Sequence, residues 1–240
     1  MRVYLVLLTL FCCALSLESL ERRPEALNLK TSILIPCYYK HFQFIPDLLK
    51  CYAEQTVTPN EVVISLQQYK LVPAESISKV LDQIWPFSLK IVFDEGGTIG
   101  ANRNNAAFNS SGDLLITQDA DDIPHPQRVE LIKHLFDHFY VEFLMHRFDY
   151  GGHPPVKYSL QEIEELTSCF DKWEQFSWDY AHNGNIACAR HVLDTVQWSN
   201  SSYGEDVDFN CRVYLHHKYK VGVFAYLVTY RPQLSSSRSP

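Results

Sequence analysis

Short runs of consecutive apolar residues, separated by amphipathic stretches, constrain the fold of this chain more than any other feature. Ile33, Leu34 and Ile35 follow one another directly, and Leu114 to Thr117 form a second such run. A strand that is apolar on both faces must be covered on both faces, which is the situation in a mostly parallel sheet flanked by helices. The alternation therefore predicts an α/β fold, a mostly parallel mixed sheet sandwiched between layers of helices.

The same alternation gives approximate boundaries for the elements. The first strand is expected to stop at Pro36. Residues 31–230 are assigned to one domain, with a polar linker at 18–30 before it and a flexible tail at 231–240 after it. We predict strands at 31–36, 61–66, 89–93, 114–117, 141–148, 184–189 and 221–228, and helices at 44–55, 76–84, 98–109, 126–139 and 205–217.

The N-terminal segment predicts entry into the secretory pathway. Arg2 precedes an apolar run from Val3 to Leu17, which is short for a membrane span of about 20 residues. Small residues just before Glu18 suit signal peptidase, so we predict a signal peptide at 1–17. An uncleaved signal anchor and a buried helix are the alternatives, and no later window is long and apolar enough to span.

Two further features bear on the compartment. Asn109 and Asn200 each begin an N-x-Ser sequon, which fits a glycoprotein of the ER or Golgi lumen or a secreted one. Five cysteines remain after residues 1–17, with no C-x-x-C pair, so a disulfide scaffold is not indicated.

The charge balance excludes one class of partner. The chain has 21 basic and 28 acidic residues, a formal net charge of -7. It therefore lacks the basic footprint by which proteins bind the phosphates of nucleic acids. An anionic substrate remains compatible with this balance if a metal cation bridges it to an acidic site.

The sharpest local feature is a cluster of carboxylates that follows the apolar run 114–117. Asp119, Asp121 and Asp122 repel one another, and a hard divalent cation such as Mn²⁺ or Mg²⁺ relieves that repulsion. Ligands of open α/β sheets bind at the carboxyl ends of strands, where this cluster is predicted to lie. The alternative is a solvated turn that caps the helix beginning near 126.

Two other segments carry candidate residues. Gly96 to Arg103 is a Gly-rich turn into a helix, where backbone and helix N-terminus favour phosphate oxygens and Arg103 could reach a diphosphate. Glu205 and Asp206 begin a later helix, where an ionised carboxylate suits a general base. The alternatives are a simple turn for the first segment and compensation of the helix dipole for the second.

Weaker signals lie in the C-terminal part of the chain. His216 and His217 close a predicted helix, where a surface pair favoured by the helix dipole is the expectation. A group of aromatic residues could stack on an acceptor sugar or pack in the core. These residues are Trp173, Phe176, Trp178 and Tyr180.

Taken together, five segments in order and spacing resemble the family 2 glycosyltransferases. The resemblance covers roughly residues 30–230. The segments are Thr31–Tyr38, Gly96–Asn105, Ser111–Pro124, Gly184–Arg190 and Gly204–Asp206.

The resemblance implies a GT-A fold, a nucleotide-diphospho-sugar donor and a Mn²⁺ or Mg²⁺ cofactor. Asp121 would ligate the metal together with Asp119, which would also lie near the ribose, and Asp122 would support the site. The residues that we assign to donor binding are Asp119, Arg103, Gly97, Asp94 and Pro36.

The resemblance also implies an inverting hexosyl transfer. Asp206, with Glu205 beside it, would remove a proton from an acceptor hydroxyl of a carbohydrate, glycoprotein or lipid. The hydroxyl oxygen would then attack the anomeric carbon of the donor while the metal stabilises the departing diphosphate.

One departure from the family pattern concerns the end of the second strand. The family has Asp residues there that contact the nucleotide base, whereas this chain has the sequence Ile64 to Gln68. Asp94 or Glu95 after the third strand is a possible substitute. The departure motivates an alternative function, a catalytically inactive nucleotide- or sugar-binding module. A phosphotransferase with an aspartyl nucleophile ranks lower, because Ile123 stands where its pattern has Thr.

Overall fold

The computed structural model describes residues 20–151, 154–169 and 183–230. The predicted signal segment at 1–17, the aromatic group at 173–180 and the predicted tail at 231–240 lie outside the described residues. The strands are β1 (Thr31–Tyr38), β2 (Glu61–Gln67), β3 (Ser88–Asp94), β4 (Leu114–Thr117), β5 (Ile123–Pro124), β6 (Phe143–Asp149), β7 (Thr167–Cys169), β8 (Ile186–Ala189) and β9 (Lys220–Thr229). The α-helices are α1 (Ile45–Ala53), α2 (Ala74–Leu81), α3 (Ile99–Phe108), α4 (Arg128–His138), α5 (Leu160–Glu165), α6 (Val192–Thr195) and α7 (Glu205–His216).

Within the described residues, the strands form one mixed sheet. Its order is β3-β2-β1-β4-β8-β6-β9-β5, and β7 pairs with β9. The ladders among β1 to β4 are parallel, as is the long ladder between β6 and β9, whereas β8 runs antiparallel to both of its neighbours. The predicted α/β fold around a mostly parallel mixed sheet is therefore confirmed.

Register aligns the carboxyl ends of the first three strands. Tyr38 is paired with Gln67, and Gln67 is paired with Asp94. Gln118, which directly follows β4, donates its backbone N–H to the carbonyl of Leu34. The segments that follow β1 to β4 therefore leave the sheet along one edge.

The core lies on both faces of the sheet, as the apolar runs predict. Ile33 and Ile35 of β1 pack in a cluster with apolar residues of α1 and α4. Leu34 points to the opposite face, into a cluster with residues of α3 and α7. Because successive side chains of a strand point to opposite faces, the apolar run from Ile33 to Ile35 is buried on both faces of the sheet. None of the helices among the described residues has the length and apolar character needed to cross a membrane.

The prediction that Pro36 ends the first strand is wrong, since β1 continues to Tyr38. The backbone groups of Leu34 and Pro36 point to the same side of β1, and the carbonyl of Leu34 accepts from Gln118 on the β4 side. The ladder between β1 and β4 ends at Leu34. Pro36 lies beyond it, so the absence of a backbone N–H in Pro36 costs no hydrogen bond to β4. On the other side the ladder with β2 continues through Pro36.

Other boundaries differ for local reasons. The helix predicted at 44–55 is α1, preceded by a 3₁₀ turn over Tyr39–Phe44. The strand predicted from Gly184 begins at Ile186, because the carbonyl of Gly184 is bound by the Arg128 side chain instead. The sequence analysis missed the short elements β5, β7, α5 and α6, although the capping box of Ser159 and Glu162 is a readable signal for α5.

Candidate active site

The carboxylate cluster lies at the edge where β1 to β4 end. Asp119 accepts a hydrogen bond from Arg103 Nη2 at its Oδ1, at 3.0 Å. A Cβ atom added to Gly184 would lie 2.9 Å from Asp119 Oδ2, closer than real Cβ contacts. Asp119 is thus held between a buried arginine and a glycine, where any side chain would push against its carboxylate.

We expect Gly184→Ala to displace the Asp119 carboxylate, because the new methyl group and the Arg103 hydrogen bond compete for the same carboxylate. If Asp119 serves in donor binding, the affinity for a nucleotide diphosphate with Mn²⁺ should fall about tenfold, equal to about 1.4 kcal/mol. Titration calorimetry measures this, with the melting temperature as the control for folding. An unchanged affinity would show that the spacing at Gly184 has no bearing on the ligand.

Asp121 lies on the other side of the cluster, close to the 3₁₀ turn after β1. Its Oδ2 is 3.8 Å from His41 Nδ1, and the two side chains are only 14% and 22% exposed. Burial raises the pKa of the neighbouring Cys37 thiol, and the charge of Asp121 raises it further, so this thiol stays protonated. His41 was not singled out from the sequence, because no pattern there distinguishes it from a surface histidine.

Arg103 joins two acidic segments that are far apart in the sequence. Its guanidinium binds Asp119, and its Nε lies 3.7 Å from Glu205 Oε1. Arg103 is 4% exposed, and its Nε and Nη1 have no hydrogen-bond partner among the described residues. The carboxylates of Asp119 and Glu205 thus compensate the charge of this buried guanidinium.

The contact between α3 and the segment before α7 keeps Arg103 close to Glu205. A Cβ atom at Gly100 would meet the backbone oxygen of Ser199 at 1.9 Å, so only glycine permits this approach. Gly100 N also donates to the carbonyl of Ser201, and the hydroxyl of Thr98 donates to Asn200 Oδ1 at 2.7 Å. The N-terminal turn of α3 is therefore fastened beside the start of α7.

The two acids that begin α7 differ in their surroundings. Burial raises the pKa of Glu205, the charge of Arg103 opposes this, and the charges of Asp206 and Asp119 reinforce it. Glu205 is 6% exposed, whereas Asp206 is partly exposed. Glu205 is thus placed to fix Arg103, and Asp206 is the acid that remains accessible.

Asp94 lies beside the position where the family has its strand-two acid. It is in register with Gln67, whose side-chain amide donates to the carbonyl of Gly97. Asp94 Oδ1 accepts from Gly96 N at 3.1 Å. Glu95 points away to Lys70, at 2.6 Å in a pair that is mostly exposed. Of the two candidate substitutes, the edge of the sheet thus presents Asp94, next to the Gly97 backbone.

Arg128, at the start of α4, is a buried centre that the sequence analysis missed. It is 0% exposed. Its Nη2 donates to the carbonyls of Thr117 and Gly184, at 2.8 and 2.7 Å, and Nη1 donates to Gln118 Oε1 at 2.6 Å. Thr117 and Gln118 directly precede Asp119 in the chain, and Gly184 approaches the Asp119 carboxylate. Nη1 also lies 3.3 Å from Tyr52 Oη.

His146 completes the surroundings of Arg128. Its Nε2 accepts from Arg128 Nε at 3.1 Å, and its Nδ1 faces the carbonyl of Arg147 at 2.9 Å, so the proton belongs on Nδ1. Burial and the charge of Arg128 lower the pKa of His146 well below its usual value. The ring is therefore a neutral acceptor for the arginine, and the fold fixes the backbone around Asp119 through one cation.

Comparison with protein-family models matches residues 32–196 to "Glycosyl transferase family 2". Among solved structures, S. aureus TarS 1–349 in complex with UDP has a TM-score of 0.66 at 17% identity. The match covers 84% of this chain and 60% of that one, so the chain spans about three fifths of the TarS fragment. A comparison with curated protein sequences gives no significant match.

A second solved structure agrees on the fold. Glucosyl-3-phosphoglycerate synthase from Mycobacterium tuberculosis, in complex with Mn²⁺, UDP and glucosyl-3-phosphoglycerate, gives a TM-score of 0.58 at 13% identity. That match covers 87% of this chain and 75% of the other. At these identities the likeness establishes the GT-A fold alone. The family match extends over more than half of the residues, and the chain therefore belongs to glycosyl transferase family 2.

Proposed function

We propose that this protein is a metal-dependent, inverting hexosyltransferase. It would move a sugar from a nucleotide-diphosphate donor to a hydroxyl of a carbohydrate, glycoprotein or lipid acceptor. TarS has been solved with UDP and with UDP-GlcNAc, and the mycobacterial synthase with Mn²⁺ and UDP. These relatives support a nucleotide-sugar donor and a divalent metal.

The observation that carries the proposal is the position of Arg103. It binds Asp119 at one end of the sheet edge and faces Glu205 at the start of α7. This contact supports a site in which a diphosphate binds at Arg103 and the general base Asp206, next to Glu205, lies nearby. The positive charge of the Arg103 guanidinium suits the oxygens of a diphosphate bound at this edge.

The residues present fit a divalent cation. Asp119 and Asp121 offer carboxylate oxygens, the ligands that Mn²⁺ and Mg²⁺ prefer. Arg103 donates a hydrogen bond to Oδ1 of Asp119, whereas Oδ2 of Asp119 lies on the side of Gly184. Asp119 and Asp121 would hold the metal, which when bound neutralises negative charge on the diphosphate.

The remaining steps, donor binding and proton transfer, are assigned to residues of the chain itself. Arg103 and the backbone near Gly97 bind the donor, and Asp94 takes the place of the strand-two acid toward the base. Glu205 fixes the guanidinium of Arg103. Asp206 accepts the proton of the acceptor hydroxyl, whose oxygen attacks the anomeric carbon from the face opposite the diphosphate.

The proposal is tested by thermal shift with nucleoside diphosphates and nucleotide sugars, each with and without Mn²⁺. A ligand at 100 times its Kd should stabilise the folded state by about 2.7 kcal/mol. We expect a shift that needs both components in the parent protein and is absent in Asp121→Ala. Asp47→Ala, at an exposed ion pair with Lys50, should keep the full shift. An equal shift in Asp121→Ala and the parent would contradict the metal assignment.

A second candidate function is a binding module without turnover. The strand-two acid is replaced by Gln67, whose amide is already engaged with Gly97. Tight metal-dependent binding without hydrolysis or transfer, across a panel of donors and acceptors, would favour this function. Turnover that Asp206→Asn removes would exclude it.

We further propose that the enzyme acts in the secretory pathway, in the ER or Golgi lumen or outside the cell. The apolar segment at 3–17 supports this compartment. Asn200, in one of the two sequons, is exposed. Expression in secretory cells followed by glycosidase treatment tests the assignment, since a lumenal protein carrying glycans should migrate faster after their removal.

A further inference from the structure

Three side chains capable of binding metal converge at the edge of the sheet opposite to the acidic cluster. Glu142 directly precedes β6, His191 directly precedes α6, and His217 directly follows α7. One ligand atom from each of the three lies within 4.8 Å of the others. The amino end of β4 pairs with the last residue of β8 here, so the group lies away from the edge that carries Asp119.

The distances suit a small tetrahedral cation. His191 Nε2 lies 2.9 Å from Glu142 Oε1, and His217 Nδ1 lies 3.5 Å from the same oxygen. Ligands bound to Zn²⁺ at 2.0–2.2 Å in a tetrahedron are about 3.4 Å apart, between these two values. The ligand atoms of His191 and His217 lie within 4.8 Å of each other, and a shift of the exposed His191 side chain would bring all three atoms to that spacing.

The groups behind these ligands hold them in place. Glu142 Oε2 accepts backbone hydrogen bonds from Lys218 N and Tyr219 N, both at 3.1 Å. These bonds orient the carboxylate and leave Oε1 toward the histidines.

The Thr195 hydroxyl permits the tautomer that metal binding needs. It lies 2.8 Å from His217 Nε2 and 3.0 Å from the carbonyl of Val192. When it donates to Val192, it accepts from Nε2–H, which leaves Nδ1, on the side of Glu142, as the nitrogen that binds either a proton or a metal ion. A partner that fixes the second ring nitrogen is the usual companion of a metal-binding histidine.

We propose that Glu142, His191 and His217 form a Zn²⁺ site, with water in the fourth position. The ligand set of two imidazoles and one carboxylate matches zinc better than the oxygen ligands of the acidic cluster do. The ion would join three segments that are distant in sequence: the entry to β6, the start of α6 and the end of α7. Its role is to stabilise the fold, because it lies at the edge opposite to the transfer site.

The test is Zn²⁺ titration of the chelator-treated full chain, followed by calorimetry and elemental analysis. We expect one Zn²⁺ per chain and a rise in melting temperature. His191→Ala should weaken binding by roughly 100-fold or more, since even outer partners of zinc ligands are worth 10–100-fold. His191 is 57% exposed at its side chain, so its loss should leave the fold intact. His216→Ala, the exposed neighbour of His217, is the matched control and should bind as the parent does.

Two further variants separate this site from the proposed transferase site. Asp121→Ala should lose the response to Mn²⁺ with nucleotide yet keep Zn²⁺ binding, and His191→Ala should show the reverse. Zn²⁺ binding that disappears in Asp121→Ala, or survives in His191→Ala, would overturn the proposal. The absence of Zn²⁺ binding to the folded parent would overturn it as well, whatever the nucleotide experiments show.

Discussion

Replacing Arg128 with methionine should lower the melting temperature by roughly 6–12 °C, since about 3 kcal/mol is lost and each kcal/mol moves a domain of this size by about 2–4 °C. The physical reason is the number of buried acceptors that one guanidinium serves. The substitution would remove the hydrogen-bond donor from three acceptors: the carbonyls of Thr117 and Gly184, and Gln118 Oε1. Each buried group left unpaired costs about 1–3 kcal/mol.

The control is Arg22→Met, the same substitution at an arginine that is 55% exposed in its pair with Glu164. An exposed pair of this kind is worth about 0–1 kcal/mol, so the melting temperature should change by only a few degrees. Urea unfolding gives an independent value for both variants. Equal destabilisation by the two substitutions would refute the role of Arg128 as the buried centre.

Arg128 also has an expected effect on the site. It holds the backbone at Thr117, just before Asp119, and at Gly184, beside the Asp119 carboxylate, so its loss should weaken metal-dependent nucleotide binding even at a temperature where the variant is fully folded. Arg128→Lys keeps the positive charge but lacks the planar guanidinium with its paired N–H donors. Compared with Arg128→Met, it should regain part of the lost stability and a smaller part of the lost nucleotide affinity. If the variant lost stability but bound nucleotide with unchanged affinity, Arg128 would contribute to folding and not to ligand binding.

Asp206→Asn should reduce the rate of sugar transfer by about 10²–10⁴-fold, the usual contribution of a general base. Asparagine keeps the size and the hydrogen bond that Asp206 Oδ1 accepts from Val207 N at 2.9 Å, but it cannot take a proton at neutral pH. The affinity for donor and metal should stay within about twofold of the parent, because Asp206 acts only on the acceptor. Transfer kinetics and donor calorimetry on the same preparation measure the two effects.

Asp208→Asn is the matched control for Asp206→Asn. Asp208 lies one half turn further along α7, where it pairs with Arg212 on the exposed surface. This substitution should leave both transfer and binding nearly unchanged. Should Asp206→Asn and Asp121→Ala lose donor binding equally, the two acids would not have the separate roles assigned to them.

The sequence by itself determined the fold class and the longer strands and helices. The all-apolar run at Ile33 to Ile35 required cover on both faces, and the structure shows the two clusters that this implies. The acids Asp119 and Asp121 could be placed at a strand end, because the apolar run before them is contiguous with them in the chain. Such features depend on local periodicity and chain adjacency, which a sequence displays directly.

Only the tertiary structure decided which polar groups meet. The Arg103 ion pair with Glu205, the approach of Gly184 to Asp119 and the centre at Arg128 each join segments far apart in sequence. His217 shows the same limit, since it was expected on the surface but is 7% exposed at its side chain, beside Glu142. A buried charge is tolerable only when partners from elsewhere in the chain satisfy it, and the folding of the sheet is what brings those partners together.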